Sequence, residues 1–119
     1  MRSVFITFFM SSLIGWFPVA NATSTEPGVE IEHLLHAIGQ SDCVFTRNGT
    51  HHSATEAEDH LRMKYDRTRS RIKTAEAFID HLASKSSWTR KPYSIQCTDG
   101  APEPSRQWLY RELSQFRQT

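Results

Sequence analysis

The sequence lacks the short motifs by which many enzymes and metal proteins are recognised. It contains no glycine-rich phosphate loop, no paired CxxC motif, no HExxH zinc motif and no GxSxG nucleophile elbow. Excess charge of one sign is also missing, because 14 Lys and Arg stand against 13 Asp and Glu in 119 residues. This balance argues against a bulk basic nucleic-acid binder and against an acidic tail protein, and the length allows one domain.

The one long hydrophobic run lies at the N-terminus, where residues 1–22 have the features of a secretory signal peptide. Arg2 gives a positive start, Val4 to Phe17 is an uncharged and largely apolar run, and Ala20-Asn21-Ala22 is a cleavage site of small residues. The run is shorter than the ~20 residues that span a bilayer core. We therefore expect cleavage after Ala22, a single secreted domain of residues 23–119 and no stable membrane insertion after cleavage. An uncleaved signal anchor is the alternative.

Cysteine is scarce, and the two that are present, Cys43 and Cys97, remain after removal of the predicted signal peptide. An even pair in an oxidising compartment most simply predicts a disulfide. Neither residue belongs to a CxxC motif, which argues against a redox pair. Two buried free thiols are the other alternative. A Cys43–Cys97 bond places the first strand near the last.

Hydrophobic periodicity and turn signals predict the order α-β-β-α-β-α. A helix is expected over about Val29 to Gln40, and Asn48-Gly49 between two strand-like runs predicts a type I′ hairpin turn. Pro92 to Cys97 has the pattern of a strand, and Ser105 is predicted to cap a last helix. The sequence therefore predicts a small single α+β domain.

The middle of the chain predicts one long helix. Ser53 and Glu56 form a capping box, and apolar side chains then recur in steps of three and four. The stripe comprises Ala54, Ala57, Leu61, Tyr65, Thr68, Ile72, Ala75, Ile79 and Leu82. This pattern favours a continuous helix of roughly 30 residues packed against a short antiparallel sheet. A second helix that begins at Thr74 is the alternative.

Histidines and carboxylates raise the possibility of a metal site or a hydrolase. The chain has six His, but none follows the ligand spacing of structural zinc sites. His51 and His52 are adjacent and would point to opposite faces of a strand, so they cannot share a metal there. Because no nucleophile signature is present either, we expect no metal, no cofactor and no catalytic residue.

The charges around the predicted long helix suggest a binding surface. At 100° per residue, one flank about 80° from the apolar stripe is positive and has no partners within its own helix. The hairpin turn lies near this flank because Ser53 joins the hairpin directly to the helix. The candidate site for an anionic group consists of Arg47, Asn48, His60, Lys64, Arg67 and Arg71. The alternative is a solvated face whose charges are paired by carboxylates from elsewhere in the fold.

Several blocks of the sequence, in order, resemble the YfeK-like family of small bacterial periplasmic proteins. These blocks are Phe45-x-Arg47-Asn48-Gly49, Glu56-Ala57-x-x-His60-Leu61-Arg62-x-Lys64, Ala75-Glu76-x-Phe78-Ile79, Ser86-Ser87 and Lys91-Pro92-Tyr93. The resemblance extends from about Ile31 to Leu113 and implies a periplasmic location without supplying an activity. Arg90 stands where relatives often have Gly, and some relatives lack the cysteine pair.

Together these features predict a non-catalytic binding or accessory module of the bacterial envelope. Its expected partner is an envelope protein or an anionic ligand, and not nucleic acid. An inhibitor or immunity protein of an envelope enzyme is one alternative. A small His/carboxylate hydrolase or metal protein that uses His60 is another.

Overall fold

The computed structural model of the chain describes residues 12–15 and 26–119. Most of the predicted signal peptide and its predicted cleavage site therefore lie outside the described residues. Within the described residues, no helix combines the length and the apolar character needed to cross a membrane.

Helices and strands alternate along the chain as in a mixed α+β domain. Their order is α1 (Pro27–Gln40), β1 (Val44–Arg47), β2 (Thr50–His52), α2 (Ala54–Thr68), α3 (Ala75–Phe78), a π-helical turn (Ile79–Ala83), β3 (Ser94–Gln96), β4 (Glu103–Pro104) and α4 (Ser105–Gln118). The predicted fold class, a small single α+β domain, is confirmed. The predicted order merged α2, α3 and the π-helical turn into one helix, and it lacked β4.

The four strands form one antiparallel sheet in the order β2-β1-β3-β4. The hairpin between β1 and β2 turns at Asn48 and Gly49, whose φ angles are 50° and 79°. Both positive values fit the predicted type I′ turn. One face of the sheet buries Phe45 and Ile95, which pair across β1 and β3, and the helices cover this face.

The disulfide joins the two central strands at one end of the sheet. Cys43 directly precedes β1 and Cys97 directly follows β3, and their Cα atoms lie 4.3 Å apart. Val44 pairs with Gln96 in the register of these strands, so the two cysteines are brought face to face. The predicted Cys43–Cys97 bond is confirmed.

Helix α1 supplies the centre of the hydrophobic core. Its four core residues have no exposed surface, and they are Ile31, Leu34, Leu35 and Ile38. Around them pack the apolar faces of α2, α3 and α4, including an edge-to-face contact between Tyr65 and Phe78 with ring centres 5.9 Å apart. Burial of these side chains is the main stabilising term, at about 25 cal/mol per Å² of apolar surface.

The prediction of one continuous long helix is wrong. Helix α2 ends at Thr68, whose carbonyl oxygen accepts hydrogen bonds from the backbone N–H groups of Arg71 and Ile72. Thr74 then begins α3, because its side-chain oxygen accepts a hydrogen bond from the N–H of Ala77. Ile72 nevertheless stays buried, with 8% of its surface exposed. The sequence therefore predicted the buried stripe correctly, but it did not predict the break between the two helices.

Ser105 does not cap α4 as predicted. Its hydroxyl instead donates a hydrogen bond of 2.7 Å to the carbonyl oxygen of Ala83 in the π-helical turn, and its N–H donates to the carbonyl oxygen of Tyr93. Ser105 is 1% exposed. The residue therefore anchors the start of α4 to the π-helical turn and to the loop that leads into β3.

Candidate anion-binding site

A cleft of about 550 Å³ opens between α2, the β1–β2 turn and the loop that connects the π-helical turn to β3. Three cationic side chains line it: Arg47 from the end of β1, and Lys64 and Arg67 from α2. We call this space the cationic cleft. Its position follows from the capping box at Ser53, which begins α2 one residue after β2 ends. The hairpin and the first turns of α2 therefore lie side by side.

Arg47 contacts the imidazole of His60 at the back of the cationic cleft. The Arg47 Nη1 atom lies 2.6 Å from His60 Nε2 and 2.9 Å from Nδ1. Because a guanidinium group can only donate, the imidazole must be neutral to accept, and it can accept through only one of these two nitrogens. Burial, followed by the charges of Arg47 and Lys64, lowers the pKa of His60 from 6.5 to about 4.

Lys64 reaches the floor of the cleft and is half-buried there. Its Nζ atom donates hydrogen bonds to the carbonyl oxygen of Leu82, at 2.7 Å, and to the hydroxyl of Tyr93, at 3.3 Å. The ammonium group also lies 5.3 Å from the centre of the Tyr93 ring. Burial and the nearby Arg47 charge lower the pKa of Lys64 to about 8. Burial raises the pKa of Tyr93, which keeps its hydroxyl neutral.

The field in the cleft is positive because carboxylates are directed elsewhere. Five arginines of the fold pair with Asp or Glu, namely Arg62, Arg69, Arg106, Arg111 and Arg117. Within residues 26–119, Arg47, Lys64 and Arg67 form no ion pair, and no Asp or Glu lines the cationic cleft. The positive charges that line the cleft therefore repel one another. An anion bound in the cleft would offset this repulsion.

Five of the six predicted site residues line this cleft, and they are Arg47, Asn48, His60, Lys64 and Arg67. Arg71 does not line it. It lies exposed in the turn between α2 and α3, because α2 ends at Thr68 and the chain leaves the direction of the predicted helix. The convergence of the hairpin turn with α2 agrees with the expected geometry. Anion binding by these residues stays a prediction.

The loop between the π-helical turn and β3 also contributes to the cleft, which the sequence did not predict. Asn48 Nδ2 donates to Ser86 Oγ at 3.3 Å, and the Thr89 hydroxyl donates to Asn48 Oδ1 at 2.5 Å. These bonds hold the exposed Trp88 at the margin of the cleft. The Ser86-Ser87 block was visible in the sequence, but nothing local indicates its contact with a residue 38 positions earlier.

A second and smaller cavity of about 50 Å³ lies deeper in the fold and is mostly apolar. Arg47, His60 and Tyr93 border both spaces. His52 also lines this cavity, and its buried Nε2 atom has no hydrogen-bond partner among the described residues. Its other ring nitrogen lies 3.4 Å from Glu56 Oε2. The part of the chain that the structure covers contains no group of three or more His, Cys, Asp or Glu placed to hold a metal.

Fold and cleft define a small disulfide-bonded α+β protein with a positively charged cleft beside its sheet. Residues 25–117 match a family of unknown function, DUF5329, and the chain belongs to this family. It is also 49% identical over 75 residues to the uncharacterised protein YfeK of Salmonella typhimurium. The resemblance seen in the sequence is confirmed. The aligned region covers 62% of this chain and 62% of that relative. No solved structure matches the chain.

Proposed function

We propose that this protein is a periplasmic, non-catalytic binding module that holds an anionic group in the cationic cleft. The observation that supports this proposal is that Arg47, Lys64 and Arg67 lie around one space. Among the described residues, no Asp or Glu lines this space. A volume of about 550 Å³ is ample for a small ligand or for the anionic end of a larger partner.

The chemistry of the three cations suits a carboxylate or a phosphate. Arg47 offers a planar, forked set of donors that matches both groups. Lys64 adds a point charge on a stem that is partly buried, so less side-chain freedom is lost when a ligand binds. Burial and, to a smaller extent, the nearby charge of Arg47 lower the pKa of Lys64. An anion beside Lys64 would raise this pKa toward its ordinary value.

The periplasmic location rests on the signal-peptide features of residues 1–22 and on the Cys43–Cys97 disulfide. Disulfides form and persist in oxidising compartments such as the periplasm. The likeness to an uncharacterised bacterial protein adds no activity, so only the cleft supports the binding role.

The direct test is an NMR titration of the lysine side chains with inorganic phosphate at low ionic strength. We expect phosphate to shift the Lys64 signal and to raise the Lys64 pKa from about 8. The shift should shrink as salt is added, because mobile ions screen a partly exposed site. An unchanged Lys64 pKa at saturating phosphate would contradict the proposal.

Arg67 and Arg71 provide a matched pair for the binding measurement. Both are exposed and lie four positions apart, but only Arg67 lines the cationic cleft. We expect Arg67→Ala to weaken phosphate binding about fivefold, which corresponds to the upper end of the range for an exposed ion pair. Arg71→Ala should leave it unchanged. Equal effects of the two variants would point to nonspecific charge attraction and would reject the cleft as the site.

A further inference from the structure

Trp88 lies at the margin of the cationic cleft with 95% of its surface exposed. We propose that the anionic group belongs to an acidic saccharide, whose sugar ring stacks on Trp88 while its carboxylate is held by the cations of the cleft. This inference rests on the proposed function and names the ligand class of the same cleft.

The exposure of Trp88 calls for an explanation by binding. Tryptophan is the largest apolar side chain and is strongly buried on average, and aromatic side chains of this kind are enriched where partners dock. Within residues 26–119, three other large hydrophobic residues are exposed, namely Val29, Val44 and Met63. Of these, only Met63, which is 42% exposed, lines the same cleft. The two exposed apolar side chains of the cleft, Trp88 and Met63, thus line the same space as its cations.

The indole is carried by a loop that is already ordered. Ser86 Oγ accepts hydrogen bonds from the N–H groups of Trp88, at 3.3 Å, and Thr89, at 3.4 Å. Asn48 donates to the same oxygen and fixes the loop to the hairpin turn. The loop is closed further by a hydrogen bond from the Ser86 N–H to the carbonyl oxygen of Lys91. A preordered platform loses little conformational entropy when a ring stacks on it.

The strand arrangement disfavours an extended peptide in the cleft. The strand that reaches the cleft is β1, and both of its edges are already paired, with β2 and with β3. A peptide there could not add a strand to the sheet, which is the common way of holding extended backbone. The cleft volume of about 550 Å³ matches a compact ligand instead.

The side chains that line the cleft favour a sugar acid over a simple inorganic anion. The cleft combines cations with one exposed indole and with hydroxyl groups such as that of Ser87. A sugar acid presents an apolar C–H face, several hydroxyls and a carboxylate, so it uses all three kinds of group. Phosphate alone would leave Trp88 and Met63 without a contact.

The test replaces the tryptophans with 5-fluorotryptophan and follows them by fluorine NMR. The chain has three Trp, and Trp88→Phe identifies the signal of Trp88. Trp108, which packs against the core, is the internal control. The probes are digalacturonate, the uncharged galactose disaccharide of the same linkage, triglutamate and inorganic phosphate. We expect digalacturonate to shift the Trp88 signal and to bind at least about tenfold more tightly than the other three probes.

Trp88→Ala separates this inference from the proposed function. Because the side chain is exposed, the variant should fold normally, lose about tenfold in digalacturonate affinity and keep its phosphate affinity. If phosphate binds while digalacturonate binds no better, or if triglutamate or the uncharged disaccharide shifts Trp88 with equal affinity, the saccharide is rejected and anion binding stands. If neither digalacturonate nor phosphate binds, both proposals fail.

Discussion

The guanidinium of Arg47 and the imidazole of His60 are in direct contact, with Arg47 Nη1 2.6 Å from His60 Nε2. The contact joins the end of β1 to the middle of α2 and requires a neutral imidazole. Protonation would place two positive groups against each other in a partly buried position. The back of the cationic cleft is therefore sensitive to acid.

His60 should make the stability of the fold depend on pH. Its pKa is about 4 in the folded protein and 6.5 in the unfolded chain, so between these values the unfolded chain binds the extra proton. The free energy of unfolding should thus fall as the pH drops from 6.5 toward 4. His60→Gln should remove about 1 kcal/mol of this decline, once solvent screening at a half-exposed side chain is allowed for. Urea unfolding at several pH values measures it.

The exposed His81 provides the control for this experiment. His81→Gln should retain the wild-type decline between pH 6.5 and 4. A decline that persists unchanged in His60→Gln would show that His60 is not the responsible group.

Loss of the disulfide should destabilise the domain strongly. The bond closes a loop with a sequence separation of 54 residues and joins the two central strands. Replacement of both Cys43 and Cys97 by Ser should lower the free energy of unfolding by about 4 kcal/mol on the chain-entropy account. Chemical denaturation of the variant and the oxidised protein measures the difference. Two titratable thiols in the native oxidised protein would contradict the bond.

Arg117 should contribute more to stability than other arginines on α4. It pairs through Nε, at 2.6 Å, and Nη2, at 3.0 Å, with the carboxylate of Glu30, which is 4% exposed. Arg117→Met would leave a buried carboxylate without its bidentate partner, which should cost about 2–3 kcal/mol. Arg111→Met is the matched control, since its partner Glu103 is more exposed and the loss should stay below about 1 kcal/mol. Equal losses in urea unfolding would refute the distinction.

Secretion should leave a chain that begins at Thr23. Small residues at Ala20 and Ala22 occupy the two specificity positions before the expected cut. The intact mass of the protein recovered from the periplasm measures the cleavage position. A species that retains residues 1–22 would indicate an anchor instead of a cleaved signal peptide.

Local chemistry made several features readable from the sequence. Asn48-Gly49 specifies the hairpin because both residues tolerate positive φ, and Ser53 with Glu56 specifies the start of α2 through reciprocal hydrogen bonds. Apolar spacing identified the buried side chains, and the two cysteines identified the disulfide. Each of these depends on neighbours in the chain or on the scarcity of alternatives.

Tertiary packing decided the direction of the helix after Thr68 and the composition of the cleft. The apolar stripe is compatible with one straight helix or with two helices around a bend, because Ile72 and Ala75 are buried in either case. After the bend, Arg71 no longer lines the cleft, and the contact of Asn48 with Ser86 brings Trp88 to it. Periodicity records which face of a segment is buried, but the path of its axis depends on packing against residues that are distant in the sequence.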